Sequence, residues 1–124
     1  MIKNLARQLV QAVTGTRKFY YRRLAEIAPS ARGKRVLEIG SGKRVKGREA
    51  YSAAHIFVGA AEFRQTDLDP AHGHEPLDIT DMDIRDAYDL ILCLNVLEHV
   101  FDTATAVRNL HAALAPGGRL IVAV

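Results

Sequence analysis

The sequence contains little of what marks a secreted or membrane protein. Its single cysteine, Cys93, excludes an intramolecular disulfide and suits a reducing compartment. No segment approaches the roughly 20 apolar residues that cross a membrane. Polar residues interrupt residues 1–9 at every third or fourth position, unlike the continuous apolar region of an export signal. We therefore expect a cytoplasmic protein without a membrane partner.

Internal repeats, low-complexity tracts and a strong charge bias are also absent. The 124 residues suit a single domain, and 48% hydrophobic with 25% charged residues describe a globular chain. The net charge of +3 is too modest to indicate nucleic acid by itself. The composition therefore favours a globular domain for which nucleic acid is not an expected partner.

The spacing of apolar residues predicts two helices followed by alternating strands and helices. Residues 2–13 and 17–28 form the two predicted helices, and Pro29 stops the second. The five predicted strands cover residues 34–39, 62–67, 77–79, 88–95 and 119–124. This alternation predicts an α/β fold, a doubly wound parallel sheet with right-handed crossovers and helices on both faces.

Two connections between these strands are predicted to be helical. Residues 48–61 are mostly helical in composition. Asp102 is a good N-cap for the other helix, which the Pro-Gly-Gly sequence at 116–118 ends. One face of that helix is predicted to carry Val107, Leu110 and Leu114.

Polar or glycine residues follow four successive apolar strands. In a parallel sheet of this kind, ligands bind outside the carboxyl ends of the strands, where the strand order reverses. The residues at these ends are Glu38, Gly40 and Gly42 for the first strand, Asp67 for the second, Asp78 for the third and Asn95 for the fourth. Their coincidence predicts a binding site.

The same residues narrow the chemistry of the ligand. An acid at the end of the second strand accepts hydrogen bonds from ribose hydroxyls, and Asp67 stands 25 residues beyond Gly42. Val45 stands where a pyrophosphate-binding fingerprint has glycine or alanine. Glu38 would repel a pyrophosphate but tolerate a sulfonium or ammonium group. The pattern favours S-adenosylmethionine over a dinucleotide, although the cations Lys43 and Arg44 would favour a dinucleotide.

The chain resembles the class I S-adenosylmethionine-dependent methyltransferases, in particular the broad family labelled methyltransferase type 11. The resemblance covers residues 33–124, and the Leu-Glu-His-Val and Pro-Gly-Gly motifs are typical of that family. The stretches that carry it are residues 36–42, 66–70, 77–80, 88–100 and 114–120. It implies a Rossmann-like sheet with strand order 3-2-1-4-5.

The resemblance also implies a role for individual residues. Asp67 would hold the ribose hydroxyls. Asp78 would take the adenine amino group, with the Ile79 amide nearby. The methionine end of the cofactor would lie among Glu38, Gly40, Ser41, Gly42, Leu94 and Asn95.

The sequence departs from the family pattern in two places. Arg44 stands where a third glycine is frequent, and the chain stops inside the fifth of the usual seven strands. We therefore expect residues 33–124 to be a cofactor-binding domain that lacks much of the acceptor pocket. Residues 1–32 would form an N-terminal helical segment, and Tyr20 or Tyr21 could belong to a lid over the cofactor. The exposed fifth strand would favour self-association.

Histidines offer further candidates. His99 suits a general base for a hydroxyl acceptor, because its pKa is ordinarily near neutrality, but it could equally organise the loop after the fourth strand. Some related enzymes bind a metal through the Glu98-His99 pair; Asn95 at the upstream ligand position argues against it, and no metal is expected. His72 and His74 are expected to lie in a solvated loop.

The sequence thus predicts a methyltransferase that uses S-adenosylmethionine on an unidentified, small-molecule acceptor. The alternative is a non-catalytic S-adenosylmethionine-binding or interaction module of the same fold. The basic and aromatic stretch at 17–23 could suggest a nucleic-acid surface, but a solvated helix face is the better interpretation.

Overall fold

Seven β-strands and two α-helices make up the part of the chain that is described. The structure, a computed structural model, describes residues 20–124. The strands are β1 (Arg35–Ile39), β2 (Arg44–Val45), β3 (Arg48–Glu49), β4 (Glu62–Asp67), β5 (Glu75–Pro76), β6 (Tyr88–Leu94) and β7 (Leu114–Ala123). Helix α1 is described over residues 20–27, and α2 spans Thr103–Ala113. Short 3-10 helices cover Ala28–Ala31, Pro70–His72 and Leu97–His99.

Five of these strands form one parallel sheet in the spatial order β5-β4-β1-β6-β7. Numbered among themselves along the chain, they have the order 3-2-1-4-5, so the predicted doubly wound sheet is confirmed. The remaining two strands, β2 and β3, pair antiparallel as a separate hairpin.

Two apolar clusters cover the opposite faces of the sheet. Alternate residues of β1 and β6 point to opposite sides, so Leu37 and Ile91 belong to one cluster while Val36 and Leu90 belong to the other. Helix α2 completes the first cluster through its buried Leu110. Helix α1 and the turns before β4 complete the second. No helix within residues 20–124 has the length and apolar character needed to traverse a bilayer.

Of the two predicted N-terminal helices, only the second can be compared with the structure. The first, over residues 2–13, lies outside the described residues. The second is α-helical from 20 to 27, so it ends one residue before the predicted end, and Pro29 lies in the 3-10 helix Ala28–Ala31 that follows. Proline is tolerated there because the first turn of a helix does not use its own amides.

The prediction of a helix over residues 48–61 is wrong. This stretch begins with β3, the second strand of the β2–β3 hairpin, and continues as turns up to β4. Lys46 and Gly47 have φ of 52° and 74°, as the two central residues of a type I′ hairpin turn require. Further along, the Ala53 amide donates to the Glu38 carboxylate, so it has no helical partner.

Smaller corrections concern the strand and helix ends. The third strand of the main sheet lies at Glu75–Pro76 rather than 77–79. Helix α2 has the predicted Asp102 N-cap, but Val107 is 41% exposed, and the buried face consists of Ala106, Leu110 and Ala113. Strand β7 starts at Leu114, directly after α2, and 116–118 form an irregularity inside it rather than ending the helix.

Candidate functional site

The carboxyl ends of β1, β4 and β6 meet at the point where the chain direction across the sheet reverses. From β1 the chain crosses to β4 on one side and later returns to β6 on the other. Crossovers on opposite sides leave a crevice at this switch point, which is where ligands of open α/β sheets bind. The loop that follows β1 forms its floor.

Glycines let the backbone of this loop come close to the crevice. Gly40 and Gly42 have φ of 66° and 78°, a conformation that disfavours other residues. A Cβ on Gly40 would lie 2.6 Å from Val96 Cγ2, and one on Gly42 would lie 2.8 Å from the Tyr51 ring. Between them, buried Ser41 donates its amide to Thr66 O at 2.8 Å. The loop is thus fixed against β4 while its glycine backbone stays open to a ligand.

Glu38 is the buried centre of a polar network below this loop. Its Oε1 accepts hydrogen bonds from Ser41 Oγ at 2.7 Å and Ser52 Oγ at 2.5 Å, and its Oε2 accepts from the Ala53 amide at 2.7 Å. Burial raises the pKa of Glu38, although these three hydrogen bonds oppose the shift. The side chain therefore fixes the loop and the turns that follow it, and it also lines the crevice.

Asp67, at the end of β4, links the glycine loop after β1 to the turn that follows β4. Its Oδ2 accepts from the Gly42 amide at 2.8 Å, and its Oδ1 accepts from the Asp69 amide at 2.9 Å. Burial alone would raise the pKa of Asp67, but the amides of Asp69 and Gly42 and the adjacent His72 outweigh it and lower the pKa. Asp67 is therefore an ionised acceptor at neutral pH.

The crevice consists of two adjoining cavities that share Ile39, Gly40 and Asn95. The first cavity, about 240 Å³, also contacts Glu38, Gly42 and Leu94, together with Tyr20 and Tyr51. The second, about 320 Å³, also contacts Asp67, Asp78, Ile79, His72 and His99. Nearly all predicted binding residues thus line one of the two cavities; Ser41 instead lies buried beneath the loop.

Asn95 stands at the junction of the two cavities. Its φ of 56° is uncommon for a residue other than glycine, and such conformations concentrate at functional sites. Its Oδ1 accepts a hydrogen bond from the Tyr20 hydroxyl at 3.0 Å. Helix α1 therefore reaches across the first cavity to the end of β6.

The remaining predicted residues lie in the second cavity. Asp78 Oδ1 accepts from the Thr80 amide and hydroxyl, which lowers the pKa of Asp78. The His99 side chain is 79% exposed, and its Nε2 lies 3.8 Å from Glu98 Oε1. Among residues 20–124 no cluster of three or more histidine, cysteine or acidic residues has the geometry of a metal site.

The expectation that His72 and His74 lie in a solvated loop is wrong. The His74 side chain is 2% exposed, and its Nε2 lies 3.0 Å from Gly42 O and 3.6 Å from Glu49 Oε2. His72 lies against Asp67 in the second cavity. Their polar character suggested exposure, but the fold places His74 against the glycine loop and His72 against Asp67.

The strand order 3-2-1-4-5 and the glycine loop after the first strand are typical of doubly wound α/β folds, whose ligand sites lie at this switch point. A family model described as "Methyltransferase domain" matches residues 37–120. The chain therefore belongs to the methyltransferase domain family, which confirms the resemblance read from the motifs.

Two relatives are named as ubiquinone biosynthesis O-methyltransferases. The protein of Bordetella avium (strain 197N) is 31% identical over 107 residues, which cover 77% of this chain and 44% of the relative. That of Coxiella burnetii (strain Dugway 5J108-111) is 32% identical over 100 residues, covering 72% and 42%. The chain thus spans less than half the length of these relatives.

Solved structures support the fold. The N-methyltransferase NodS from Bradyrhizobium japonicum WM9, in complex with S-adenosyl-L-homocysteine, gives a TM-score of 0.66 at 22% identity. The alignment covers 85% of this chain and 60% of NodS. A methyltransferase structure from Bacillus halodurans C-125 gives 0.69 at 18% identity, covering 82% of this chain and 49% of that one. At these identities the likeness concerns the fold.

Proposed function

We propose that this domain binds S-adenosylmethionine and transfers its methyl group to a small-molecule acceptor. The observation that carries the proposal is the two-cavity crevice, with Glu38 and the glycine loop on one side and Asp67 and Asp78 on the other. Its combined volume, about 560 Å³, lies within the range of small-molecule sites. Membership of the methyltransferase domain family supports the same activity.

The residues present fit the cofactor. At Gly40 and Gly42 a Cβ would collide with neighbouring side chains, so the cradle depends on glycine. In the second cavity, Asp67 Oδ1 accepts the Asp69 amide and, as a carboxylate oxygen, has a second acceptor position for a ligand hydroxyl. When bound, the cofactor supplies an electrophilic methyl group on its sulfonium sulfur.

We assign the chain's own residues to binding and orientation. Asp67 accepts from the ribose, while Asp78 and the Ile79 amide receive the adenine. Gly40, Gly42, Leu94 and Asn95 contact the methionine end, and Glu38 holds the loop in place. Methyl transfer requires mainly proximity and alignment of the two reactants, so rigid loop backbone is the main contribution of this part of the protein.

Two roles extend this proposal. The hydrogen bond from Tyr20 to Asn95 across the first cavity supports a lid role for the N-terminal helical segment. His99 remains the candidate general base, since its exposed imidazole borders the second cavity. A His99→Ala variant would then lose turnover, by about 10²- to 10⁴-fold, and keep its cofactor affinity.

Calorimetric titration with S-adenosylhomocysteine and with NAD tests the cofactor. We expect binding of the former and a weakening of about 1–3 kcal/mol in Asp67→Ala, because a charged hydrogen-bond acceptor is removed. Asp83→Ala, an exposed acid paired with Arg85, is the matched control. Tighter binding of NAD would contradict the proposal. Cofactor binding without methyl transfer to any acceptor would instead indicate the non-catalytic binding module.

We also propose two further properties of this protein. A cytoplasmic location agrees with the buried, unpaired thiol of Cys93. Self-association through β7, the strand at one edge of the described sheet, is the second proposed property. Light scattering on the purified protein tests the latter, and a monomer at high concentration would contradict it.

A further inference from the structure

The β2–β3 hairpin carries a concentration of positive charge that the proposed function does not use. Residues 43–49 contain four cations, Lys43, Arg44, Lys46 and Arg48, and one acid, Glu49. Their net charge of +3 is also the formal net charge of the whole chain, so the other residues are balanced overall. Every residue from 43 to 48 is exposed. The excess charge of the protein is therefore gathered on one short surface element.

The two faces of the hairpin differ in how their charges are used. The strand register places Arg44 opposite Glu49 and Val45 opposite Arg48, and directly opposed side chains project from the same face. Arg44 Nε lies 3.0 Å from Glu49 Oε1, and the buried Glu49 Oε2 lies 3.6 Å from His74 Nε2. The charges on this face are thus paired and turned toward the sheet. Val45 and Arg48 project from the opposite, exposed face.

Three of the cations lack an acidic partner. Among residues 20–124, no carboxylate forms an ion pair with Lys43, Lys46 or Arg48, in contrast to Arg44. Lys43 directly precedes β2, and Lys46 occupies the turn at the tip of the hairpin. Each strand has only two residues, a length of about 7 Å, so the three backbone positions lie close together. Like charges gathered in this way attract anions.

The hairpin is attached to the first cavity at both ends. Gly42 directly precedes it and Tyr51 follows it closely, and both residues line that cavity. The Gly42 amide donates to Asp67, and Tyr51 O accepts from the Tyr21 hydroxyl at 3.2 Å. The hairpin is therefore held at the rim of the cavity that is assigned to the methionine end of the cofactor. An acceptor that brings its reacting atom to this cavity has its remaining part near the hairpin.

Three separate cations fit a phosphate group better than other anions. A phosphate monoester carries nearly two negative charges at neutral pH and offers three strong acceptor oxygens. Arg48 supplies a planar fork for two of these oxygens, and lysines act as point charges. A carboxylate has a single charge, and one guanidinium satisfies both of its oxygens. A nucleic-acid strand requires contacts with several successive phosphates, for which this hairpin is too short.

We propose that the β2–β3 hairpin binds the phosphate group of a phosphorylated small-molecule acceptor through Lys43, Lys46 and Arg48. The inference rests on the proposed function, since it names the substrate class of the same methyltransferase site. It accounts for three unpaired cations beside the cavity in which the methyl group is expected. It also predicts that these cations serve the acceptor and not the cofactor.

Titrations of phenyl phosphate, benzoate and phenol into the protein saturated with S-adenosylhomocysteine test the proposal. The three probes share one ring and differ in the group attached to it. Amide chemical shifts measured at low salt report both the affinity and the place of binding. We expect phenyl phosphate to bind at least about 10-fold more tightly than the other two, with the largest shifts in residues 43–49. Added salt should weaken this binding, because the contacts are exposed.

A variant without the three charges gives the sharper test. We expect the combined substitution Lys43→Gln, Lys46→Gln and Arg48→Gln to weaken phenyl phosphate by about 10-fold and to keep the wild-type affinity for S-adenosylhomocysteine. The matched control removes three exposed cations elsewhere on the described surface and should change neither affinity. It combines Arg22→Gln, Arg85→Gln and Arg108→Gln.

The outcomes separate this inference from the proposed function. Equal binding of phenyl phosphate and benzoate, or an equal loss in the two triple variants, would overturn the phosphate site and leave the cofactor assignment intact. Weaker S-adenosylhomocysteine binding in the hairpin variant would also overturn it, because the cations would then serve the cofactor. Binding of oligothymidylate through the same cations, without binding of phenyl phosphate, would overturn it in favour of a nucleic-acid surface.

Two further results complete the test. Failure of the wild-type protein to bind S-adenosylhomocysteine would overturn the proposed function itself. If the hairpin variant does not fold by circular dichroism, Arg48→Gln alone decides. We expect that single substitution to weaken phenyl phosphate by about 3-fold, and unchanged affinity would overturn the inference.

Discussion

Different forces hold the two long crossovers of the sheet. The first crossover, residues 40–61, joins β1 to β4 and contains, throughout its described length, a hairpin and turns but no α-helix. Its contacts with the sheet include the polar network around Glu38 and the bond between Gly42 and Asp67. The second crossover, residues 95–113, contains α2, which buries Ala106, Leu110 and Ala113 against β1 and β6.

The difference follows from whether a crossover has to keep its backbone accessible to a ligand. An apolar helix face is stabilised by burial, which needs no particular direction and leaves no polar group aimed at a ligand. A loop that presents its backbone to a cofactor cannot use its amides in a helix, so buried side chains must fix it instead. The proposed methyltransferase site therefore takes its glycine loop from the first crossover, whereas helix α2 of the second crossover contributes mainly apolar burial.

Removal of apolar volume from the second crossover should have the largest effect on stability. Leu110 is fully buried, and we expect Leu110→Ala to lower the free energy of unfolding by about 2–5 kcal/mol. Val107→Ala in the same helix is the matched control, because Val107 is 41% exposed. Urea denaturation followed by circular dichroism measures both. Well below its melting temperature, Leu110→Ala should keep the wild-type affinity for S-adenosylhomocysteine; loss of affinity would show that the two crossovers are not independent.

In the first crossover, a change of one atom in Glu38 should affect both stability and binding. The oxygen of Glu38→Gln can still accept from the two serines, but its amide nitrogen would face the Ala53 N–H, and two donors cannot pair. We expect a loss of about 1–3 kcal/mol in unfolding free energy, with weaker cofactor binding. Glu62→Gln, at the exposed start of β4, is the control. A stable variant with normal affinity would mean that the network does not position the loop.

The two acids of this region should respond to pH with opposite sign. The raised pKa of Glu38 gives a contribution that is complete below its unfolded-state value, about 4.3, and is lost as the pH rises through the folded-state value. The lowered pKa of Asp67 gives a contribution that is complete above about 3.9 and is lost as the pH falls through the folded-state value. Denaturation midpoints between pH 3 and 7, for the wild type against Glu38→Gln and Asp67→Asn, measure each contribution. The same sign for both differences would contradict the assigned environments.

The smallest expected effect is a gain. Lys46 occupies the first central position of the type I′ turn with φ of 52°, where asparagine is better tolerated than lysine. We expect Lys46→Asn to stabilise the protein by a few tenths to about 1 kcal/mol. Lys43→Asn is the control, since Lys43 is not among the residues with positive φ. If both substitutions gave the same change in the urea midpoint, charge rather than backbone strain would be the cause.

Sequence reasoning succeeded where burial alone sets the structure. Strand β4 begins and ends at the predicted residues, and the predicted β6 is only one residue too long, at Asn95. A strand covered on both faces must be apolar nearly throughout, and that pattern is visible without knowing what covers it. The acids and glycines at the strand ends followed from the same alternation.

Sequence reasoning failed where a side chain far away in sequence accepts a hydrogen bond from a backbone amide that a helix would use. Residues 48–61 have a helical composition, but Ser52 and Ala53 bond to Glu38, 14 and 15 residues earlier in the chain. Local helix propensity contributes little free energy per residue. The hydrogen bonds from several donors to one buried carboxylate contribute more, so they decide the structure. His72 and His74 were misjudged for a related reason, since polar residues in a loop suggest solvent until the loop is folded onto the sheet.

The sequence by itself predicted the parallel sheet, its strand order through the family resemblance, and most of the strand-end residues that line the crevice. These depend on apolar periodicity and on residue types that a strand end requires, and both are local properties of the chain. Only the tertiary structure decided that the crossover after β1 is not helical, that Glu38 serves the loop from below, and that His72 lies against Asp67. Each of these depends on a polar contact between segments far apart in sequence, and the strength of such a contact depends on burial that only the complete fold provides.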